Sequence, residues 1–168
     1  MRLYWSKDVT MAMKSFEEHE GDDDGFEHPT RITVAGKYQV KMTDIGADMK
    51  NGQVSLRFRY VTTANKIYDL YIRLNKNNHW QIRAFTSSLK LTPEQKKELV
   101  YDDEILDKSY AQFLSFYKKY ALRRCFVITL EERLYQGKVY LQLNHNKTEV
   151  YSGELDVYDS RFMSFDEL

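Results

Sequence analysis

From Arg31 onward the apolar positions recur in twos. "RITVAGKYQVKMTDI" sets Tyr38, Val40 and Met42 against Lys37, Gln39 and Lys41, which predicts a half-buried strand. Asn51-Gly52 in "MKNGQ" marks a hairpin turn, because both central residues of such a turn need positive φ. The next strand, Gln53 to Thr62, points Val54, Leu56, Phe58 and Tyr60 one way and Ser55, Arg57 and Arg59 the other. After a short "TANK" connection, Tyr68, Leu70, Ile72 and Leu74 face inward while Asp69, Tyr71 and Arg73 face outward. "NKNNHW" is turn-rich, and Trp80 to Phe85 reads as a short fourth strand.

The period then changes. Thr92, Pro93 and Gln95 form a helix-start signature, with a capping box and proline at the first helical position. Tyr110, Phe113, Leu114, Tyr117 and Ala121 make one apolar stripe, predicting a helix from near Glu104 to near Leu122 with Arg123-Arg124 at its C-terminal end. Strands resume in "CFVITLEERLYQGKVYLQLNHN", folded back at "YQGK". A strand meander, a helical segment and a closing hairpin give a mainly β (α+β) chain. Their order fits a five-stranded OB-like barrel with a helical insert, about residues 92–122, between strands 3 and 4. Other small barrels and α+β sheets stay open. The division expected is an acidic N-terminal arm (1–30), the OB-like domain (31–146) and an acidic C-terminal tail (147–168).

Net charge over the 168 residues is zero, yet the charge is segregated. Residues 1–30 carry −5, residues 31–92 carry +8, residues 93–124 carry +1 and residues 125–168 carry −4. Partners respond to local potential, so the basic middle outweighs the neutral total. The one cysteine, Cys125, rules out an internal disulfide and a cysteine-based zinc site. No apolar run reaches the ~20 residues of a membrane span, and "MRLYWSKDVT" lacks a signal peptide's apolar stretch. The expectation is a cytoplasmic protein that does not contact membranes.

Single-stranded nucleic acid is held by cations tracking phosphates and by aromatic rings under the bases. Arg57, Arg59, Tyr71 and Arg73 share one predicted strand face, with Lys37 and Lys41 on a neighbouring strand and Lys76, His79, Trp80, Arg83 and Phe85 extending it. In this reading Lys37, Lys41, Arg57, Arg59, Arg73, Lys76 and Arg83 meet phosphates, and Tyr71 and Trp80 stack bases, with a core position for Trp80 equally open. The competing reading is a solvated face of long β-forming side chains. Chemistry finds no motif: His19, His28, His79 and His145 are scattered, and no P-loop, G-x-G-x-x-G or G-x-S-x-G occurs. Asp22 to Asp24 lack the alternate spacing of a calcium loop. No enzyme, metal or cofactor is expected.

"TVAGKYQVKMTDIG", "SLRFRYV" and "IYDLYIRL", followed by a helix and the "CFVITLEERLYQGKVYLQLN" hairpin, resemble the successive strands of phage and prophage proteins that bind single-stranded DNA through an OB fold. The likeness covers roughly residues 30–146, and its motifs are short. It implies a sequence-tolerant single-stranded DNA-binding protein acting in phage DNA replication or recombination. The insert from Leu91 to Leu122 is longer than in that family, and the tail is not a compact Asp-rich tip ending in Pro-Phe. The tail's Phe162, Phe165, Asp166 and Glu167 are candidates for docking replication or recombination proteins. RNA stays open as the polymer, and a homo-oligomer is compatible with the sequence. The rival is a phage-encoded interaction or inhibitor protein, aimed at a host defence or polymerase enzyme through its acidic ends.

Overall fold

The computed structural model describes residues 29–157. Its strands are β1 (Thr30–Arg31), β2 (Gly36–Lys50), β3 (Gln53–Val61), β4 (Lys66–Arg73), β5 (Cys125–Tyr135), β6 (Lys138–Leu143) and β7 (Glu149–Val150). Its helices are α1 (His79–Ser88), α2 (Pro93–Lys96) and α3 (Tyr110–Tyr120). Six strands run in the order β1-β4-β3-β2-β5-β6, and β7 pairs with β5. The molecule is mainly β, its sheet curled into an open half-barrel with a few helices. β1 joins parallel to β4, and every other pairing is antiparallel.

Both tight turns follow from their glycines. Asn51-Gly52 (φ 52° and 76°) and Gln136-Gly137 (φ 52° and 79°) adopt the positive φ that two-residue hairpins require. The strand facings read from the sequence hold: Val54, Leu56, Phe58, Tyr60, Leu70, Ile72 and Leu74 are buried on the concave face. There α1 and α3 close the core. Phe58 sits at its centre, 4.3 Å from the Phe85 ring and 5.4 Å from that of Tyr117. At the open seam of the half-barrel, Tyr68 Oη accepts a hydrogen bond from the Leu143 amide at 3.2 Å. Burial pushes this phenol up to about 12.

Several expectations are corrected. The sheet has seven strands, counting two-residue β1 and β7. Trp80 to Phe85 is helical rather than a strand, because Ile82, Phe85 and Leu89 recur at helical spacing and all three are buried. Phe85 is therefore core and unavailable to a ligand. The long helix is shorter than read, Tyr110–Tyr120, with a 3₁₀ turn at Leu106–Ser109 before it. The Thr92 capping box forms with both reciprocal bonds, but α2 lasts one turn. A register shift between Met42 and Asp44 also bends β2, and nothing in its sequence announces this bulge. Past residue 146 the chain stays on the sheet through β7, with the Tyr151 amide bonded to the Cys125 carbonyl and Leu155 buried. No helix among the described residues is long and apolar enough to cross a membrane.

Candidate nucleic-acid interface

The convex face of β3 and β4 carries the predicted residues in register: Ser55 opposite Arg73, Arg57 opposite Tyr71, and Arg59 opposite Asp69. The β2 bulge places Asp44 beside Arg59, Gly46 beside Arg57 and Asp48 beside Ser55. Arg59 grips Asp69 with two bonds, Nε–Oδ1 at 2.9 Å and Nη2–Oδ2 at 3.0 Å. Arg57 reaches over Gly46 to Asp48 Oδ1 at 2.9 Å and Asp44 Oδ2 at 3.0 Å. Glycine leaves room for this crossing, since a Cβ at position 46 would stand 2.7 Å from Arg57 Nη2. From β1, Arg31 Nη1 lies 3.7 Å from Asp69 Oδ2.

These charges are not a solvated fringe. Arg57 is 8% exposed, Arg59 4% and Asp69 8%. Burial alone would lower the Arg59 guanidinium, but the adjacent Asp69 carboxylate outweighs it and holds the group above its ordinary value. Burial alone would likewise raise Asp69, and the Arg59 charge and bonds overcome it to hold the carboxyl below the usual range. The Tyr71 phenol is pushed up by burial and by the charges of Asp69 and Asp48. The expectation that Arg57 and Arg59 lie ready to neutralise phosphates is therefore corrected. Both stand on the predicted face, and both are buried and already charge-matched there.

This network has a consequence for the rest of the basic segment. Asp44, Asp48 and Asp69 are the only acids among residues 31–92, and all three face Arg31, Arg57 and Arg59. The +8 of the segment thus rests on its eight other cations. Lys41 meets Glu154 loosely at 3.8 Å, Lys76 meets Glu104 at 2.8 Å, and Arg83 donates to His79 Nδ1 at 2.8 Å. Lys37, Lys50, Lys66, Arg73 and Lys90 are exposed.

Arg73 is central among them. Two clefts of about 280 and 380 Å³ share Ser55, Tyr71 and Arg73. The first continues under the β2–β3 turn to Lys50 and Asn51, and the second to Asn77 and Asn78. A third, about 240 Å³, runs from Arg73 to Lys76 and is lined also by Glu104 and Asp107. The Arg73 guanidinium has no partner among the described residues. Its backbone is fixed, since its carbonyl accepts from Asn78 Nδ2 at 3.0 Å and Asn75 Oδ1 caps the turn at the Asn78 amide. Cleft and cation are thus set on a rigid strand end.

The remaining candidates separate. Lys37 and Lys41 share the convex face but sit toward the other end of β2, opposite Thr129 and Cys125. Trp80 is 52% exposed, with Arg83 one turn on, but α1 packs against the concave face, so this ring and Tyr71 stand on opposite sides of the sheet. Phe162, Phe165, Asp166 and Glu167, like Asp22 to Asp24, His19 and His28, lie outside the described residues. The sequence reading passed over Asp44, Asp48 and Lys50. Only Asp69 carried a usable signal, since counting back across the "TANK" connection places it opposite Arg59. Among the described residues no group of three or more His, Cys, Asp or Glu is placed to hold a metal ion. No protein-family model matches this sequence, and no curated protein matches it.

Proposed function

We propose that the protein binds single-stranded nucleic acid, DNA in the first instance, across the convex face of β3 and β4, with Arg73 as its principal phosphate contact. The observation that carries this reading is the Tyr71–Arg73 cleft: an aromatic ring beside a cation that no acid of the described residues pairs, opening toward Lys50, with the one acid in its lining, Asp48, bonded to Arg57. Strand order supports it. Taking β2 to β6 as five OB strands, the order β4-β3-β2-β5-β6 is that of an OB barrel opened between its third and fifth strands, where Tyr68 reaches Leu143. OB domains bind oligonucleotides on the face of strands 2 and 3 and on the 1–2 loop, which here are β3, β4 and the Lys50–Asn51 turn. Lys37 and Lys41 extend the track along β2, and Lys76 extends it past the end of β4. Arg57 and Arg59 serve as the scaffold beneath. A role in phage DNA replication or recombination follows from the sequence resemblance.

The test is anisotropy of a labelled oligo-dT against a duplex control, at low and high salt, for the wild type and Arg73→Glu. Wild type binds the single strand and weakens steeply with salt, and Arg73→Glu weakens binding and lowers the salt slope by about one. Equal binding by wild type and variant, or none at low salt, refutes the reading. In the second case the rival gains, and neutralising Asp22 to Asp24 then becomes the informative change.

A further inference from the structure

The β5–β6 hairpin projects beyond the core, and its tip is unusually apolar. Leu134 is 75% exposed and Val139 62%, and the two face each other across the ladder on the continuation of the core face. β6 is also a sheet edge: it pairs with β5 alone among the described strands. Exposed apolar edges template pairing with another chain, and proteins ordinarily blunt them with charge, proline or a bulge. Between Lys138 and Leu143 the one charge is Lys138, and there is no proline.

The ladder fixes which backbone groups are open. Tyr135 and Lys138 flank a two-residue turn, so they form a hydrogen-bonded pair, and such pairs alternate along the hairpin at Arg133–Tyr140 and Glu131–Gln142. The N–H and C=O of Val139, Leu141 and Leu143 therefore point away from β5. Leu143 shows this directly, its amide reaching outward to Tyr68 Oη at 3.2 Å. Val139 and Leu141 are left as two outward donor–acceptor sets.

We propose that this edge pairs with the same edge of a second copy. One antiparallel register uses both open residues, with Val139 against Leu141 of the other copy, the reverse pair beside it, and Tyr140 against Tyr140 on the two-fold axis. Four backbone hydrogen bonds result. The Leu134, Val139 and Leu141 side chains of both copies then form one continuous apolar strip. Charge is compatible as well: Lys138 falls opposite Gln142 of the other copy, whose own neighbour is Glu131. The contact is isologous and closes on itself. Its size places it among weak associations, so the dimer forms with rising concentration.

The test is sedimentation equilibrium of the full chain from micromolar to near-millimolar protein, with Val139→Lys alongside. The wild-type mass should climb from 20.1 kDa toward twice that value, and Val139→Lys, a change at an exposed position, should lose the climb. Register is read separately by mild oxidation. Tyr140→Cys brings two thiols together across the axis at disulfide range, whereas Lys138→Cys leaves them about 13 Å apart. Rapid crosslinking at 140 only supports the pairing. A wild-type monomer at every concentration, or equal crosslinking at 138 and 140, overturns it and leaves the edge to a foreign extended segment.

Discussion

Replacing Asp69 tests whether the convex-face arginines are scaffold or ligand contacts. In the wild type, Arg59 makes both of its short bonds to this carboxylate, whose side chain is wholly inaccessible. Asp69→Ala leaves a buried guanidinium without its main counter-charge. Arg31, 3.7 Å from that carboxylate, is itself a cation and offers no relief. Breaking one side of a buried pair costs about 3–5 kcal/mol, whereas apolar residues of similar volume at both positions are often neutral. Each kcal/mol moves the melting midpoint of a chain this long by about 2–4 °C, so Asp69→Ala should melt roughly 6–20 °C lower. Arg59→Met/Asp69→Leu should recover most of that loss. The assay is a double-mutant cycle with Arg59→Met and Asp69→Leu as its singles, followed by thermal and urea unfolding. Singles within about 0.5 kcal/mol of wild type, or a double equal to their sum, would show that the pair is uncoupled and refute the scaffold role.

The same pair predicts an acid limb. Asp69 titrates lower in the folded state than in the unfolded one. Its contribution is therefore complete above the unfolded value of about 3.9 and is lost as pH falls through the folded value. Wild-type stability should drop below about pH 4, and Asp69→Asn should flatten that limb.

Two further changes probe the supports. Gly46→Ala sets a methyl group against the Arg57 guanidinium and should destabilise by roughly 1–3 kcal/mol, so an unchanged urea midpoint would mean that Arg57 moves aside freely. Burial pushes His145 down to about 4 while the unfolded side chain stays near 6.5, so stability should decline between those values as pH falls, by at most about 3 kcal/mol. His145→Gln should remove this window, which lies above the Asp69 limb, and a pH profile unchanged by that variant would contradict it.

Much of this architecture is legible in the chain. Period-two alternation gives β2, β3 and β4 with their correct facings, because one face of each is apolar without interruption. The two glycine hairpins and the Thr92 cap are local and equally readable. What escapes is whatever depends on a partner distant in sequence. The alternation from Trp80 to Ala84 satisfies a strand as well as a helix, and only the aromatic core around Phe85 decides between them. Bulges, too, leave no mark in β2, though this one turns Asp44 and Asp48 toward Arg57.

The arginines of "LRFRY" show why face and availability are separate questions. Alternation says only that two faces differ, and the polar face is taken as wet because burying unpaired charge is prohibitive. That inference fails when acids stand in register with the cations. Among residues 31–92 there are three acids, and each lies on the convex face within reach of Arg57 or Arg59. The face is then a second, ionic core. Arg59 is matched by Asp69 opposite it and Arg57 by the diagonal neighbours Asp44 and Asp48, whereas Arg73, opposite Ser55, meets no acid among the described residues. What decides whether a cation on this face is matched is the reach of an acid to it, directly opposite or diagonal, and not its cross-strand neighbour alone.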